Sequence, residues 1–201
     1  QIAEILDNFD YHNLKVLQEK GKEIRELILQ AELPQNLHND ITKAYHELSQ
    51  FYGTQNTDVA VRSSATAEDL PGASFAGQQS TFLNVKGQKN LREAVINCWA
   101  SLFEARAIFY RQQQKFDHFK VGIAVVVQKM IQSETAGVMF TQDPVTGAKN
   151  IIVIEAGFGL GELVVSGTIT PDHYEVDKKN LAIITKNVIA QEKMLVGKEK
   201  G

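Results

Sequence analysis

Cysteine is almost missing from the sequence, which has only Cys98 in 201 residues. An internal disulfide is therefore excluded, and a reducing compartment such as the cytoplasm is expected. No apolar run reaches the roughly 20 residues of a membrane helix, and the first residues have neither the basic nor the apolar region of a signal peptide. The net charge of −3 gives no sign of the basic patch that nucleic-acid binding requires. These absences predict a soluble cytoplasmic protein without a membrane or nucleic-acid partner.

Common nucleotide-binding and metal-binding patterns are also missing. No Gly-Lys-Ser/Thr follows a glycine-rich loop, so a Walker A loop is excluded. The segment 157–162, Gly-Phe-Gly-Leu-Gly-Glu, partly matches a dinucleotide fingerprint, but Glu162 stands where the third glycine belongs and no βαβ unit follows. A dinucleotide-dependent oxidoreductase is therefore disfavoured, and the glycines are expected to line a tight backbone passage beside a ligand or a sheet. His118 and His173 have no partner at metal-ligand spacing, so structural roles are expected for both.

The first half of the chain predicts helices. Residues 1–52 suggest two helices joined near residues 32–35, with Gly21 as a weak point of about 1 kcal/mol in the first. The apolar face of the second helix consists of Leu37, Ile41, Ala44, Leu48 and Phe51. A later set at alternating spacings of four and three predicts one long helix over about residues 90–114, with Cys98 as a buried structural thiol. That set is Leu91, Val95, Cys98, Leu102, Ala105 and Phe109.

From Lys120 onward the pattern changes to strands. The apolar run 121–130 predicts a strand covered on both faces. Residues 143–147, Asp-Pro-Val-Thr-Gly, predict a turn. Further strands are predicted over residues 136–141, 150–155, 173–176 and 182–188. The whole order predicts an α+β fold with a mostly antiparallel sheet. We expect a helical segment at 1–55 and a core at 56–201.

The stretch from Val59 to Val85 carries the main functional signal. A short strand at 59–61 is followed by Arg62, then by a long run of Ser, Thr, Ala and Gly, and then by a second strand at 81–85. Loops this long are often binding loops, and backbone N–H groups in such a loop can hold an anion. The planar guanidinium of Arg62 matches phosphate oxygens, although a surface salt bridge is the alternative. We interpret residues 62–81 as a loop that closes over nucleotide phosphates.

A second candidate lies at the end of the strand 121–130. Gln128 and Lys129 point to opposite faces, so at most one of them joins a given site. Gln128 could hydrogen-bond an adenine edge or a phosphate, or it could only satisfy backbone groups at the end of the sheet.

Five motifs together resemble a known family. They occur in the order Val-Ala-Val-Arg-Ser-Ser-Ala-Thr-Ala-Glu-Asp-Leu-Pro, Ser-Phe-Ala-Gly-Gln, Cys-Trp-Ala-Ser-Leu-Phe, Ala-Gly-Val-Met-Phe-Thr and Gly-Leu-Gly-Glu. In this combination the chain resembles the N-terminal nucleotide-binding domain of phosphoenolpyruvate synthases (pyruvate, water dikinases). The resemblance implies an ATP-grasp fold, in which ATP lies between two α+β lobes. Carried over by motif, the implied nucleotide-binding residues are Arg62, Ser74, Gly77, Gln78, Thr81, Gln128 and Glu162.

The resemblance also implies a reaction. Arg62 would bind phosphate, Mg²⁺ would accompany ATP, and the two terminal phosphates of ATP would pass to a histidine on a separate domain. That domain would later present a phosphate to pyruvate on a third domain. The partners implied are therefore ATP and the phosphohistidine and pyruvate-binding domains of the same full-length chain.

Three parts of the family pattern are not found in these 201 residues. They are a lysine-bearing segment expected before Gln1, acidic metal ligands expected after Gly201, and the phosphohistidine domain. We therefore expect a fragment that is inactive alone. Two alternatives remain, namely the ATP-binding domain of a rifamycin-type phosphotransferase, which carries a nearly identical loop, and a non-catalytic nucleotide-binding module.

Overall fold

The computed structural model describes residues 1–7, 9–65 and 80–197, and the chain divides into two units. Unit 1 comprises residues 1–130 and unit 2 comprises residues 131–200. The helices are α1 (Ile2–Leu6), α2 (Leu14–Gln30), α3 (Gln35–Phe51), α4 (Gln88–Ala100), a 3₁₀ turn (Ser101–Phe103), α5 (Ala105–Gln113) and α6 (Glu162–Val165). The strands are β1 (Val59–Ala65), β2 (Thr81–Val85), β3 (Ile123–Lys129), β4 (Thr135–Phe140), β5 (Ile151–Phe158), β6 (Asp172–Asp177) and β7 (Ile183–Asn187). All pairings between these strands are antiparallel, which confirms the expected mixture of helices and antiparallel sheet.

Helices α2 and α3 are the two helices predicted for residues 1–52, but the predicted hairpin packing is wrong. Helix α2 packs into the core that contains Leu102 and Ile108, whereas α3 packs into the separate core that contains Val59 and Val61. Asn13 caps α2 by accepting a hydrogen bond from the backbone N–H of Val16 at 3.3 Å. Pro34 directly precedes α3, where a proline does not interrupt helical hydrogen bonding. Two members of the predicted apolar face were wrong, because Ala44 is exposed and Phe51 is 79% exposed at the last turn of α3.

Gly21 does not interrupt α2, although its position within the helix predicted a weak point. A methyl group at this position would lie 2.9 Å from the carbonyl oxygen of Phe103. The glycine therefore lets α2 approach the 3₁₀ turn closely, and the buried neighbours Leu17 and Ile24 pack into the same core.

The prediction of one continuous helix over residues 90–114 is wrong. It is two helices, α4 and α5, separated by the 3₁₀ turn and by Glu104, whose backbone is extended. The apolar spacing continues across the break because both helices face buried cores. Two arginines satisfy the carbonyl groups that the break leaves without helical partners. Arg25 donates to Phe103 at 2.9 Å and Arg111 donates to Leu102 at 2.6 Å.

The sheet of unit 1 has the order β2-β1-β3, so β1 is central. Helices α3 and α4 cover one face, where Val59, Val61 and Cys98 are fully buried. Strand β1 continues to Ala65, so Arg62 lies in the middle of a strand and not at its end, as the sequence suggested. Strand β2 contains a bulge. The step from Val59 to Val61 on β1 is two residues long, whereas the paired step from Val85 to Phe82 on β2 is three, and Asn84 within it adopts a φ of 55°.

The prediction that the run 121–130 is covered on both faces is also wrong. Along β3, half-buried residues alternate with exposed ones, and Val126 is 49% exposed. The run is nearly continuously apolar because two of its exposed positions are Ala124 and Val126, and only Gln128 among the exposed positions is polar. Apolar character alone therefore did not distinguish a covered face from an open one.

Unit 2 contains a four-stranded antiparallel sheet in the order β4-β5-β6-β7. The predicted turn at 143–147 is present, with the Asp143 carboxylate accepting from the backbone N–H of Val145 at 2.8 Å. Gly157 and Phe158 belong to β5, so the expected glycine-rich connection begins only at Gly159.

Within the described ranges, none of the helices is long and apolar enough to span a bilayer.

Candidate functional site

The uncovered face of the unit 1 sheet brings three of the predicted site residues together. We define this open face by six exposed residues on alternate positions of the three strands: Arg62, Ser64, Thr81, Ala124, Val126 and Gln128. Arg62 lies directly opposite Thr81 on β2 and directly opposite Val126 on β3. Gln128 lies opposite Ala60, so it is the diagonal neighbour of Arg62, at a distance of roughly 7–8 Å.

Arg62 is exposed on this face, and its charge is not neutralised by a described residue. Its side chain forms no ion pair or hydrogen bond with residues 1–7, 9–65 or 80–197. The salt bridge that the sequence left open as the alternative is therefore not formed within these ranges. A guanidinium in this state can bind two oxygens of an anion at once.

The alternation along β3 separates Gln128 from Lys129, as expected. The Lys129 ammonium lies 5.7 Å from the centre of the Tyr52 ring, on the face that the helices cover. Gln128 alone joins the open face, where its amide can both donate and accept hydrogen bonds.

Sequence reasoning missed Ala124 and Val126 as members of the open face, and it placed the hydroxyl of Ser64 in a loop and not on a strand. Ser64 follows Arg62 by two residues, and Val126 precedes Gln128 by two. The two-residue period of a strand was the signal that would have found both. The small polar residues that follow Arg62 are typical of a loop, so the sequence predicts no strand period there.

Other predicted site residues lie elsewhere. Ser74, Gly77 and Gln78 are outside the described residues. Glu162 belongs to unit 2, where it is exposed as the first residue of α6.

Close backbone packing within unit 2 explains why two of the residues before Glu162 are glycines. A methyl group at Gly157 would lie 2.8 Å from Cδ1 of Ile169. Gly159 has a φ of 76°, and its added methyl group would overlap the carbonyl oxygen of Leu195. The second option raised by the sequence, a tight backbone passage beside a sheet, explains both.

The described residues do not form a magnesium site on the open face. Mg²⁺ prefers oxygen ligands and is usually held by carboxylates, and the six residues of this face include none. Across residues 1–7, 9–65 and 80–197, no group of three or more His, Cys, Asp or Glu side chains could hold a metal ion.

Cys98 and His118 have structural surroundings, as predicted. Burial raises the pKa of the Cys98 thiol to about 11, which leaves it protonated and unreactive at neutral pH. His118 accepts a hydrogen bond at Nδ1 from Nε of Arg111 at 3.1 Å. Burial, together with the Arg111 cation, lowers the pKa of His118 to about 4, so its ring is neutral at pH 7.

Comparison with known proteins identifies the family of the chain. The family profile described as "Pyruvate phosphate dikinase, AMP/ATP-binding domain" matches residues 1–201. The chain belongs to the pyruvate phosphate dikinase AMP/ATP-binding domain family. The family resemblance predicted from the motifs is thereby confirmed, and ATP or AMP is the class of ligand expected for an AMP/ATP-binding domain.

Three curated relatives resemble the domain over almost its whole length. A probable phosphoenolpyruvate synthase of Methanocaldococcus jannaschii is 52% identical over 201 residues, which is 100% of this chain and 17% of the relative. The phosphoenolpyruvate synthase of Aquifex aeolicus is 52% identical over 203 residues, covering 98% of this chain and 24% of the relative. The phosphoenolpyruvate synthase of Pyrococcus furiosus is 51% identical over 195 residues, covering 97% of this chain and 24% of the relative. The AMP/ATP-binding domain thus spans a quarter or less of the length of these relatives.

Proposed function

We propose that the open face binds the phosphates of ATP and that Arg62 is the residue that holds them. The observation that carries this proposal is an exposed guanidinium without a partner among the described residues, in the middle of the central strand, with a hydroxyl and an amide beside it. Membership of an AMP/ATP-binding domain family supports a nucleotide as the anion. We further propose an ATP-grasp-like arrangement, in which the antiparallel sheet of unit 1 belongs to one lobe.

Each polar residue of the open face has a distinct part in this proposal. The planar fork of Arg62 binds two phosphate oxygens and offsets their negative charge. The hydroxyl of Thr81, directly opposite, donates a hydrogen bond to the same group. Gln128 binds at the diagonal position, where its amide can reach a phosphate or the edge of the adenine. Such groups catalyse phosphoryl transfer mainly by positioning the phosphates and stabilising developing charge.

The remaining predicted residues stay part of the proposal. Ser74, Gly77 and Gln78 belong to the same motif and are proposed to contact the phosphates. Glu162 is proposed to lie near the ribose, or to contact a residue that itself binds the nucleotide. Mg²⁺ is proposed to accompany ATP, and because the open face offers no carboxylate, its protein ligands are assigned to other parts of the full-length chain.

For the full-length protein we propose the activity of a phosphoenolpyruvate synthase, acting in the cytoplasm. Phosphate from ATP would pass to a histidine on a separate domain and then to pyruvate. The relatives named above support this choice over a rifamycin-type phosphotransferase, since they are named as phosphoenolpyruvate synthases. The greater length of these relatives supports the presence of further domains that accept the phosphate. The 201 residues alone are proposed not to turn over.

The experiment that tests this proposal measures the products of the full-length protein. With ATP, Mg²⁺ and pyruvate, we expect AMP, inorganic phosphate and phosphoenolpyruvate in equal amounts, and none of them from the 201-residue chain alone. Pyruvate-independent formation of a phosphorylated antibiotic would overturn the choice of acceptor. ATP binding without any transfer to protein or substrate would favour the non-catalytic module.

A further inference from the structure

The segment 98–101, part of the Cys-Trp-Ala-Ser-Leu-Phe motif, lies behind the strand pair that carries Arg62 and Thr81. It comprises the end of α4 and the first residue of the 3₁₀ turn. The role proposed above for the open face does not explain this motif, because Cys98 and Ser101 are buried on the opposite side of β1 and β2. Their contacts nevertheless converge on one residue, Ser80, which directly precedes Thr81.

Ser101 holds the backbone of Ser80 through its side chain. The Ser101 hydroxyl donates to the carbonyl oxygen of Cys98 at 2.7 Å, which fixes the direction of its free lone pairs. The backbone N–H of Ser80 donates to the same hydroxyl oxygen at 3.3 Å. Ser101 is only 2% exposed, so this hydrogen bond is shielded from competing water.

Two further side chains hold the carbonyl group of Ser80. The Ser63 hydroxyl donates to this carbonyl oxygen at 3.4 Å, and the Cys98 thiol approaches it at 3.7 Å. The same thiol lies 3.8 Å from the carbonyl oxygen of Val61, so it touches both strands of the pair. The backbone N–H and the carbonyl oxygen of Ser80 are thereby both held by buried or partly buried side chains, directly before β2 begins.

We propose that Ser101 is a positioning residue for phosphate binding: by fixing Ser80, it sets the place at which Thr81 faces Arg62. This inference rests on the proposed function of the open face. Arg62 and Thr81 are directly opposite each other only if β2 enters the sheet in this register. The contacts of Ser80 hold the end of β2 at which this pair lies, and the bulge at Asn84 lies toward the other end.

The chain offers a matched control at Ser49. This serine is 1% exposed, and its hydroxyl oxygen accepts a hydrogen bond from the backbone N–H of Thr57 at 3.1 Å. Both bonds hold the backbone just before a strand of this sheet, since Thr57 lies two residues before β1 and Ser80 one residue before β2. Ser49→Ala and Ser101→Ala therefore remove the same kind of buried bond, but only the second removes it beside Thr81.

The test compares the two variants in the full-length protein, using the rate of ATP-dependent histidine phosphorylation and thermal unfolding. Both variants should lower Tm by similar amounts. Ser101→Ala should lower kcat about tenfold or more with little change in KM for ATP, within the hundredfold that a displacement of ~1 Å can cause. Ser49→Ala should leave both constants unchanged. An unchanged kcat in Ser101→Ala, or an equal loss in Ser49→Ala, would overturn the inference.

Two additions keep the test decisive. If Ser101→Ala does not fold, Ser101→Cys keeps a similar volume with a much weaker acceptor and should produce the same loss of kcat. Amide hydrogen exchange over residues 80–85 should accelerate in the Ser101 variants and not in Ser49→Ala, and this readout does not depend on catalysis. A wild-type protein that forms no phosphohistidine contradicts the proposed function, whereas unchanged exchange in Ser101→Ala contradicts the anchoring itself.

Discussion

Acidification from pH 7 to pH 4.5 is expected to destabilise unit 1 through His118. The ring is partly buried, and its Nδ1 accepts from Nε of Arg111 at 3.1 Å. Its Nε2 has no hydrogen-bond partner among the described residues. Protonation would place a second positive charge against the fully buried Arg111. Burial first and the Arg111 cation second therefore lower the pKa of His118 from 6.5 to about 4, with Asp117 opposing them.

The sign and size of the effect follow from proton linkage. Between pH 6.5 and pH 4 the unfolded chain binds a proton at this histidine and the folded chain does not, so the free energy of unfolding falls as the pH falls. The contribution is complete above pH 6.5 and is lost as the pH drops toward the folded-state pKa. At 1.36 kcal/mol per pKa unit, the loss between pH 7 and pH 4.5 is roughly 2–3 kcal/mol. That is a large part of the 5–15 kcal/mol that is typical of a folded domain.

Urea unfolding at the two pH values measures this loss, and an NMR titration of the ring reports the pKa directly. His118→Asn keeps an acceptor for Arg111 but cannot titrate, so it should lose roughly 2–3 kcal/mol less than the wild type on acidification. His46→Gln, at an exposed position of α3, should behave like the wild type. A His118 pKa near 6.5, or an equal pH dependence in His118→Asn, would refute the reasoning.

Two further predictions concern the core of unit 1. Gly21→Ala gains about 1 kcal/mol of helix propensity, but its methyl group meets the Phe103 carbonyl oxygen at 2.9 Å and Arg25 Nη1 at 3.2 Å, and overpacking of this kind costs about 1–3 kcal/mol. We therefore expect a net loss of about 1 kcal/mol in urea unfolding, and a stabilised variant would contradict the close approach of α2 to the 3₁₀ turn. Cys98 is 0% exposed and its thiol pKa is raised to about 11, so a thiol reagent at pH 8 should label it only as fast as the protein unfolds. Stoichiometric labelling of the native protein within the mixing time would contradict this assignment.

Much of the fold could be predicted from periodicity, because periodicity reports which face of an element is buried. It found helices α2 and α3 and the four strands of unit 2, but it did not show that the two helices pack into different cores. It could not report continuity, since Leu91 and Phe109 face buried cores on either side of a break. At the break, Arg25 of α2 and Arg111 of α5 bind the carbonyl groups of Phe103 and Leu102, contacts that apolar spacing does not report. Nothing in the local sequence indicates that Arg111 is buried.

The nucleotide-binding role of the candidate site residues stays a prediction, but their positions in the fold can be compared with what the sequence indicated. Arg62 and Gln128 were identified as possible ligands of a nucleotide, and the structure places both on one open face with Thr81. The boundary of β1 was wrong because small polar residues such as Ser63 and Ser64 are typical of loops, whereas pairing with β3 keeps them in a strand. Register between distant strands, which puts Thr81 opposite Arg62, depends on long-range contacts that a local pattern does not contain.

The most direct test of the central claim is the rate at which the full-length Arg62→Ala variant forms phosphohistidine from ATP. Loss of the guanidinium should lower this rate about 10²–10³-fold, the cost of removing one group that stabilises transition-state charge. Arg62→Lys should recover only part of it, because an ammonium cannot bind two oxygens in one plane. Arg92→Ala, at an exposed position of α4, is the matched control and should retain the wild-type rate. If Arg62→Ala labels its histidine as fast as the wild type while the fold is intact, the open face is not the phosphate site.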